Sequence, residues 1–297
     1  MNEFYINRHG LIDRLEWERR IKQMNYPVPD ALAESKLREA LQAAVKKRIS
    51  SKFGILFSGG VDSTLIALIC KSLKSDFKCY SVGFCDTGLA KPEDLAYSAE
   101  IARGMGLPIA TGVVRFAGAE RVIRKTAAHL GRELANAVNI GVGSVVVLAH
   151  ELAKKDGITV LFSGLGSEEL FAGYERHRQA RDIPKECLAG LLKMWERDLL
   201  RDYALSHGLG FSIATPFLDE NVIATGMGIS ANLKLNGQTN KLIVRRVAES
   251  LGLPPKYAYR KKRAAQYGSR FDSALGKISK RHGFRFKRDY IQSLFGI

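Results

Sequence analysis

Between residues 53 and 162 the chain alternates short apolar runs with stretches of helical spacing, and that alternation narrows the folds open to it. Phe53–Phe57, Phe77–Phe84, Pro108–Val114 and Thr159–Phe162 are short, bounded apolar runs and read as buried strands. Leu65–Leu73, Leu95–Met105 and Ser144–Lys155 lie between them and read as helices. Strands alternating with helices build βαβ units, whose strands run parallel and are covered on both faces. The expected fold is therefore α/β: a parallel sheet with helices on both faces, followed by a mainly helical C-terminal region. Upstream, Ala33, Leu37, Leu41 and Val45 form one apolar stripe of a helix that begins after Pro27 and Pro29. Past about Arg178 the strand signal fades, and Cys187–Ser206 and Lys241–Leu251 look helical. Three parts follow: a helical extension over 1–50, an α/β core over 51–180, and a helical region with a basic tail over 181–297.

In open parallel sheets ligands bind beyond the carboxyl ends of the strands, so the loops after the first and fourth runs are where chemistry is expected. The first is Ser58-Gly59-Gly60-Val61-Asp62-Ser63-Thr64. A strand that ends in Ser-Gly-Gly and opens a helix offers backbone N–H groups at the positive end of the helix dipole, which is an anion site. The glycines allow close backbone approach, Ser58, Ser63 and Thr64 add hydroxyl donors, and Asp62 suits a Mg²⁺ ion that neutralises phosphate. The G-x-x-x-x-G-K-[ST] pattern is absent, so this is not a Walker A loop. The second loop is Ser163-Gly164-Leu165-Gly166-Ser167-Glu168-Glu169.

Composition excludes several classes. With 46% hydrophobic residues among 297, the chain has enough apolar material for a packed core and is not a disordered segment. Uninterrupted apolar runs fall well below the ~20 residues of a spanning helix, and Met1-Asn2-Glu3-Phe4 lacks the form of a signal peptide. These features point to a cytoplasmic protein with no membrane partner. Cys70, Cys79, Cys85 and Cys187 show no C-x-x-C spacing, which argues against a zinc site or a disulfide scaffold. The formal net charge is +16, and between Lys256 and Ile297 twelve Lys and Arg residues stand against Asp272 and Asp289. Such a tail suits phosphates, RNA or an acidic partner, and equally suits a solvated face.

Ser-Gly-Gly-x-Asp-Ser after a strand resembles the PP-loop of the ATP pyrophosphatases, whose fold is the adenine nucleotide alpha hydrolase type. The second loop, continued through Leu170-Phe171-Ala172-Gly173-Tyr174, is similar to the Ser-Gly-Glu-Gly-Ser-Asp-Glu-Leu-Phe-Gly-Gly-Tyr segment of the asparagine synthetases. Val82-Gly83, Pro216-Phe217-Leu218-Asp219, Lys241 to Arg245, and Arg260-Lys261-Lys262 with Gln266 and Gly268 resemble further motifs of that family in order. The resemblance runs from about Arg48 to Ser269. It implies an ATP-dependent, amide-forming ligase that takes Mg²⁺ and serves amino-acid biosynthesis: a carboxylate is adenylated, pyrophosphate leaves, and nitrogen is transferred. By the same resemblance, Phe57, Val82, Ser163 and Gly164 line the adenosine. Ser58, Gly59, Gly60, Asp62, Ser63 and Thr64 take pyrophosphate and metal. Glu168 stands at the family's Asp and helps hold the metal with Asp62. Lys241 meets the α-phosphate and, with Glu168, carries the catalytic role.

The departures are as informative. Only about fifty residues precede the PP-loop and residue two is Asn2, so no glutaminase domain is expected within the chain; free ammonia or a separate glutaminase subunit is the implied nitrogen source. The family's Glu in the second loop is Leu165, and its Arg before Pro-Phe-Leu-Asp is Ala214. Both changes fall on the acceptor side, so the acceptor is aspartate or another, less zwitterionic carboxylate. Two other readings stay open: a PP-loop enzyme that modifies tRNA, which the basic tail suits, and a non-catalytic nucleotide-binding homologue, which Leu165 suits.

Overall fold

Five parallel strands carry the fold, and the computed structural model describes them within residues 3–24, 27–86, 92–260 and 264–296. In chain order they are Phe53–Leu56, Phe77–Phe84, Ile109–Val114, Val160–Phe162 and Ser212–Ala214, lying in the sheet as third, second, first, fourth, fifth. Gly54 and Ile55 of the central first strand pair with Leu161 and Phe162 on one side, and Phe53 to Leu56 pair with Phe77 to Tyr80 on the other. The strand order reverses between the first and fourth strands, which makes their carboxyl ends the switch point where such sheets bind ligands.

Alternate side chains feed two cores, as period-two strands buried on both faces require. Phe53, Ile55, Phe77, Cys79 and Phe162 enter one; Tyr80, Val82, Phe84, Leu161 and Ile213 enter the other. The helices Val61–Ser72 and Ala33–Arg48 pack in the first core, and Phe116–Leu134 and Ala137–Lys155 in the second. Ala137–Lys155 is long and apolar enough to cross a membrane, but 61% of its apolar window is buried inside the protein, so it serves as a core helix.

The first four strands follow the sequence expectation closely. Ser212–Ala214 does not: three residues are too few to show a period, and only pairing with Val160–Phe162 makes them a strand. The 19-residue helix Phe116–Leu134 is a second element beyond the expectation; Gly118 and Gly131 interrupt its pattern, and Gly131 departs from helical geometry. The expected helix over Cys187–Ser206 is an α-helix to Met194, a widened turn over Trp195–Leu199, and a new helix Leu200–Leu209.

The N-terminal segment is tied in by side chains. Trp17 donates its indole N–H to the Leu191 carbonyl at 3.1 Å. The fully buried Arg48 donates to both oxygens of Glu3 and, at 2.8 Å, to Asp219, while Thr215 donates to Glu3 at 2.8 Å. The basic tail includes the helices Phe271–Arg281 and Lys287–Ser293, and three of its twelve cations pair with acids there: Lys277 with Asp86, Lys287 with Asp272, Arg288 with Asp289. Lys261 and Lys262 lie outside the described residues.

Candidate active site

The helix Val61–Ser72 starts four residues earlier than expected, so Asp62, Ser63 and Thr64 occupy its first turns. Its N-cap is Gly60, which supplies no side-chain cap; a helix end in that condition suits an anion. The second loop runs directly alongside. A Cβ added to Gly164 would stand 2.9 Å from the Cβ of Asp62, so only glycine lets the two loops approach this closely.

Across this junction lies the main charge constellation. Lys241 Nζ donates to Asp62 Oδ2 at 2.8 Å and sits 2.7 Å from Glu168 Oε1, while Ser167 Oγ donates to Asp62 Oδ1 at 2.6 Å. Burial opposes the charge on Lys241, but the Asp62 and Glu168 carboxylates outweigh it and raise its pKa above the ordinary value. It is therefore an ammonium at neutral pH. Its backbone is left-handed, at φ 53°, a strained conformation that recurs where a side chain must be aimed. Arg245 supports it by donating to the Asn240 carbonyl at 2.7 Å and to Asn240 Oδ1 at 2.8 Å, while Asn240 donates to the Gly173 carbonyl at 2.6 Å.

A cavity of ≈ 250 Å³ opens on this junction. Phe57, Ser58, Asp62, Ser63, Val82, Ser163, Gly164 and Glu168 line it, so most of the residues expected to hold nucleotide meet at one space. Gly59 and Gly60 lie in the loop behind the lining. Thr64 is buried, and its hydroxyl oxygen has no hydrogen-bond partner among the described residues. Arg260 reaches the Gly59 carbonyl at 3.3 Å. A larger cleft, ≈ 790 Å³, lies between the N-terminal helices and residues 220–225 and shares no lining residue with this cavity.

The acceptor side departs from the sequence reading. Leu165 lines the cavity, but Ala214 is fully buried in the edge strand, where its carbonyl accepts from Ser163 N–H at 2.8 Å. An arginine at 214 would enter the core. Charge arrives instead from the widened turn and the helix after it, which bring Asp198, Arg201 and Asp202 to the cavity wall beside Tyr174. Arg201 donates to Asp202 at 2.7 Å and Asp198 at 3.0 Å, and Arg197 donates to Asp198 and to the fully buried Glu169, which also accepts from Tyr174 Oη at 2.7 Å. Burial raises the pKa of Asp202, against the pull of Arg201. Burial likewise raises that of Glu169, with Asp198 adding to it and Arg197 opposing. Sequence reasoning missed this group because charges at 197, 198, 201 and 202 look like the solvated stripe of a helix; only the packing turns them inward.

Comparison with known proteins follows the same lines. Residues 36–187 and 179–282 match the asparagine synthase family model. A putative glutamine-hydrolysing asparagine synthetase of Methanocaldococcus jannaschii is 32% identical over 308 residues, covering 90% of this chain and 55% of that protein. Asparagine synthetase B of Escherichia coli is 28% identical over 247 residues, covering 77% and 44%. This chain thus spans about half the length of the curated relatives it matches. An NMN synthetase structure from Francisella tularensis aligns over 90% of this chain and 94% of that one, at 10% identity and a TM-score of 0.42. With two glycine-bearing loops set side by side at the strand switch point and a family match extending over most of its length, the chain belongs to the asparagine synthase family.

Proposed function

We propose that the protein is an ATP-dependent ligase that adenylates a carboxylate with release of pyrophosphate and then forms an amide. The observation that carries this reading is the convergence of Asp62, Glu168 and Lys241 at an uncapped helix N-terminus beside an apolar-walled cavity. ATP lies with its base against Phe57 and Val82 and its β,γ-phosphates at the Ser58–Ser63 loop. Two carboxylates converging on a single cation are the donor set with which Mg²⁺ is held, one or two acids plus substrate phosphates. Asp62 and Glu168 would hold the ion, which when bound neutralises phosphate charge and eases pyrophosphate departure.

Lys241, positioned by its left-handed backbone and Arg245, meets the α-phosphate. An acceptor carboxylate oxygen bonds to the α-phosphorus as the bond to the β-phosphate bridging oxygen breaks. Ammonia, free or delivered by a glutaminase, then attacks the acyl carbon; AMP departs and a proton is lost. Fixed charges aimed at where charge develops stabilise such transition states more than any other single effect, so Lys241→Met is expected to lower the rate about 10²–10³-fold. The test is pyrophosphate release from Mg·ATP with ammonium and a carboxylic acid, using Asp62→Ala as blank. Release that survives Lys241→Met and Asp62→Ala at full rate refutes the reading. A parallel arm with total tRNA in place of the acid tests RNA modification.

A further inference from the structure

The basic tail carries a face that the proposed reaction does not use. The helix Phe271–Arg281 follows closely on Gln266 and Ser269, which line the cavity. At and beyond its far end, Lys280, Arg281 and Arg285 are exposed and have no carboxylate partner among the described residues. Arg288 is exposed too and pairs only with its neighbour Asp289, at 3.1 Å. The other acids around this stretch are engaged: Asp86 with Lys277, Asp272 with Lys287, and Glu120 with Arg124 and His282. Positive charge is therefore left facing solvent.

The same face carries an exposed aromatic ring. Phe286 is 50% exposed, and the guanidiniums of Arg285 and Arg288 lie 5.2 and 5.5 Å from its ring centre. A face that served solubility alone would have no use for an open phenyl ring. Arg281 fixes where the face lies, for it stacks 3.5 Å over the ring of Phe116, which opens the helix after the outermost strand Ile109–Val114. The carboxyl end of that strand and the PP-loop share one edge of the parallel sheet, two strand spacings or about 10 Å apart.

We infer that this face binds a single-stranded segment of RNA, with phosphates on Lys280, Arg281, Arg285 and Arg288 and a base stacked on Phe286. Cations meet phosphates whatever the sequence, whereas an unstacked base needs an open aromatic plane. The two features together favour RNA over other polyanions. A run of acidic side chains brings no planar ring to Phe286, and duplex DNA keeps its bases stacked inside the helix. The inference does not rest on the ligase reading, since it uses none of Asp62, Glu168 and Lys241.

The experiment is fluorescence anisotropy of an unstructured, labelled RNA oligonucleotide with the full chain, beside duplex DNA, polyglutamate and phosphatidylserine vesicles. Four phosphate contacts predict that log Kd rises with log salt concentration at a slope of about 3. Arg285→Glu is expected to weaken RNA binding about tenfold or more, and Phe286→Ala about tenfold. Lys46→Glu makes the same change of charge on the helix Ala33–Arg48, which packs in the other core, and is expected to leave Kd within twofold. Thermal melting checks that all three variants fold. Equal losses from Arg285→Glu and Lys46→Glu would reduce the effect to net charge and overturn the inference. RNA binding untouched by Phe286→Ala overturns it as well, and so does tighter binding to duplex DNA, polyglutamate or vesicles than to RNA.

Discussion

Gly173→Ala tests the central constellation by steric means, without removing any charge. A Cβ at 173 would stand 1.7 Å from Glu168 Oε2 and 2.5 Å from Lys241 Cε. Real Cβ atoms essentially never come within 3.0 Å of another heavy atom, so the carboxylate must retreat by about 1.3 Å, the difference between those separations. Glu168 then loses its 2.7 Å approach to Lys241, and the ammonium is displaced with it. A misplacement of about 1 Å at reacting groups lowers rate by about 10²-fold, so pyrophosphate formation should fall by that factor or more with little change in melting temperature. Pairing the variant with Glu168→Asp shortens the acid by one carbon–carbon bond, about 1.5 Å, which clears the new methyl and should restore part of the rate. Steady-state pyrophosphate assays on the single and double variants decide the matter. A Gly173→Ala protein with more than a tenth of the original kcat would show that the positions of Glu168 and Lys241 beside Gly173 do not set the rate.

Two further predictions concern stability. Arg48→Met leaves Glu3 buried without its cation and Asp219 with Lys47 alone, and should cost about 3 kcal/mol, read by denaturant unfolding; a loss under 1 kcal/mol would mean the group is wet or rearranged. His177 is fully buried, and burial, then Arg176, lowers its pKa from 6.5 to about 4. Its Nδ1 accepts from Tyr174 N–H at 3.1 Å, so the fold holds the neutral ring. A folded pKa below the unfolded one means the unfolded chain binds the proton more tightly. The stabilisation is complete above about pH 6.5 and is lost as pH falls toward 4, by up to about 3 kcal/mol. Unfolding curves of the parent and His177→Gln across that range should converge at the acid end, and parallel curves would count against the assignment.

The two Gly-bearing loops were legible in the sequence and the charged cavity wall was not, for physical reasons. Strand, Gly-rich loop and helix succeed one another within residues 53–72, so local pattern fixes the PP-loop's surroundings. The second loop adjoins it because parallel pairing puts Val160–Phe162 next to Phe53–Leu56, a sheet order that the strand–helix alternation leaves open. Lys241 was reachable only through motif resemblance, since a lysine ahead of an amphipathic helix looks like surface. Its burial comes from a left-handed turn that no local pattern announces. The charges at 198, 201 and 202 have helical spacing, and sequence cannot say which side of a helix a widened turn will present. Ser212–Ala214 is a strand only by virtue of its neighbour.

That asymmetry gives the two acceptor-side departures unequal meaning. Leu165 is half-buried on a loop and faces the cavity; its N–H donates to Ser163 Oγ at 3.3 Å whatever side chain it bears. Leu165→Glu therefore places a new carboxylate in the cavity without displacing core atoms. It should leave the melting temperature nearly unchanged while shifting acceptor preference toward acids with an added cationic group. Ala214 has no exposed surface, pairs with Phe162 and lies with it in the first core. Ala214→Arg forces a guanidinium into close-packed apolar space, where both overpacking and an unpaired charge destabilise by several kcal/mol. The two substitutions together should behave in unfolding as Ala214→Arg does alone. A stable Ala214→Arg protein that turns over aspartate would show that the edge strand can open to the cavity and present a guanidinium to the acceptor.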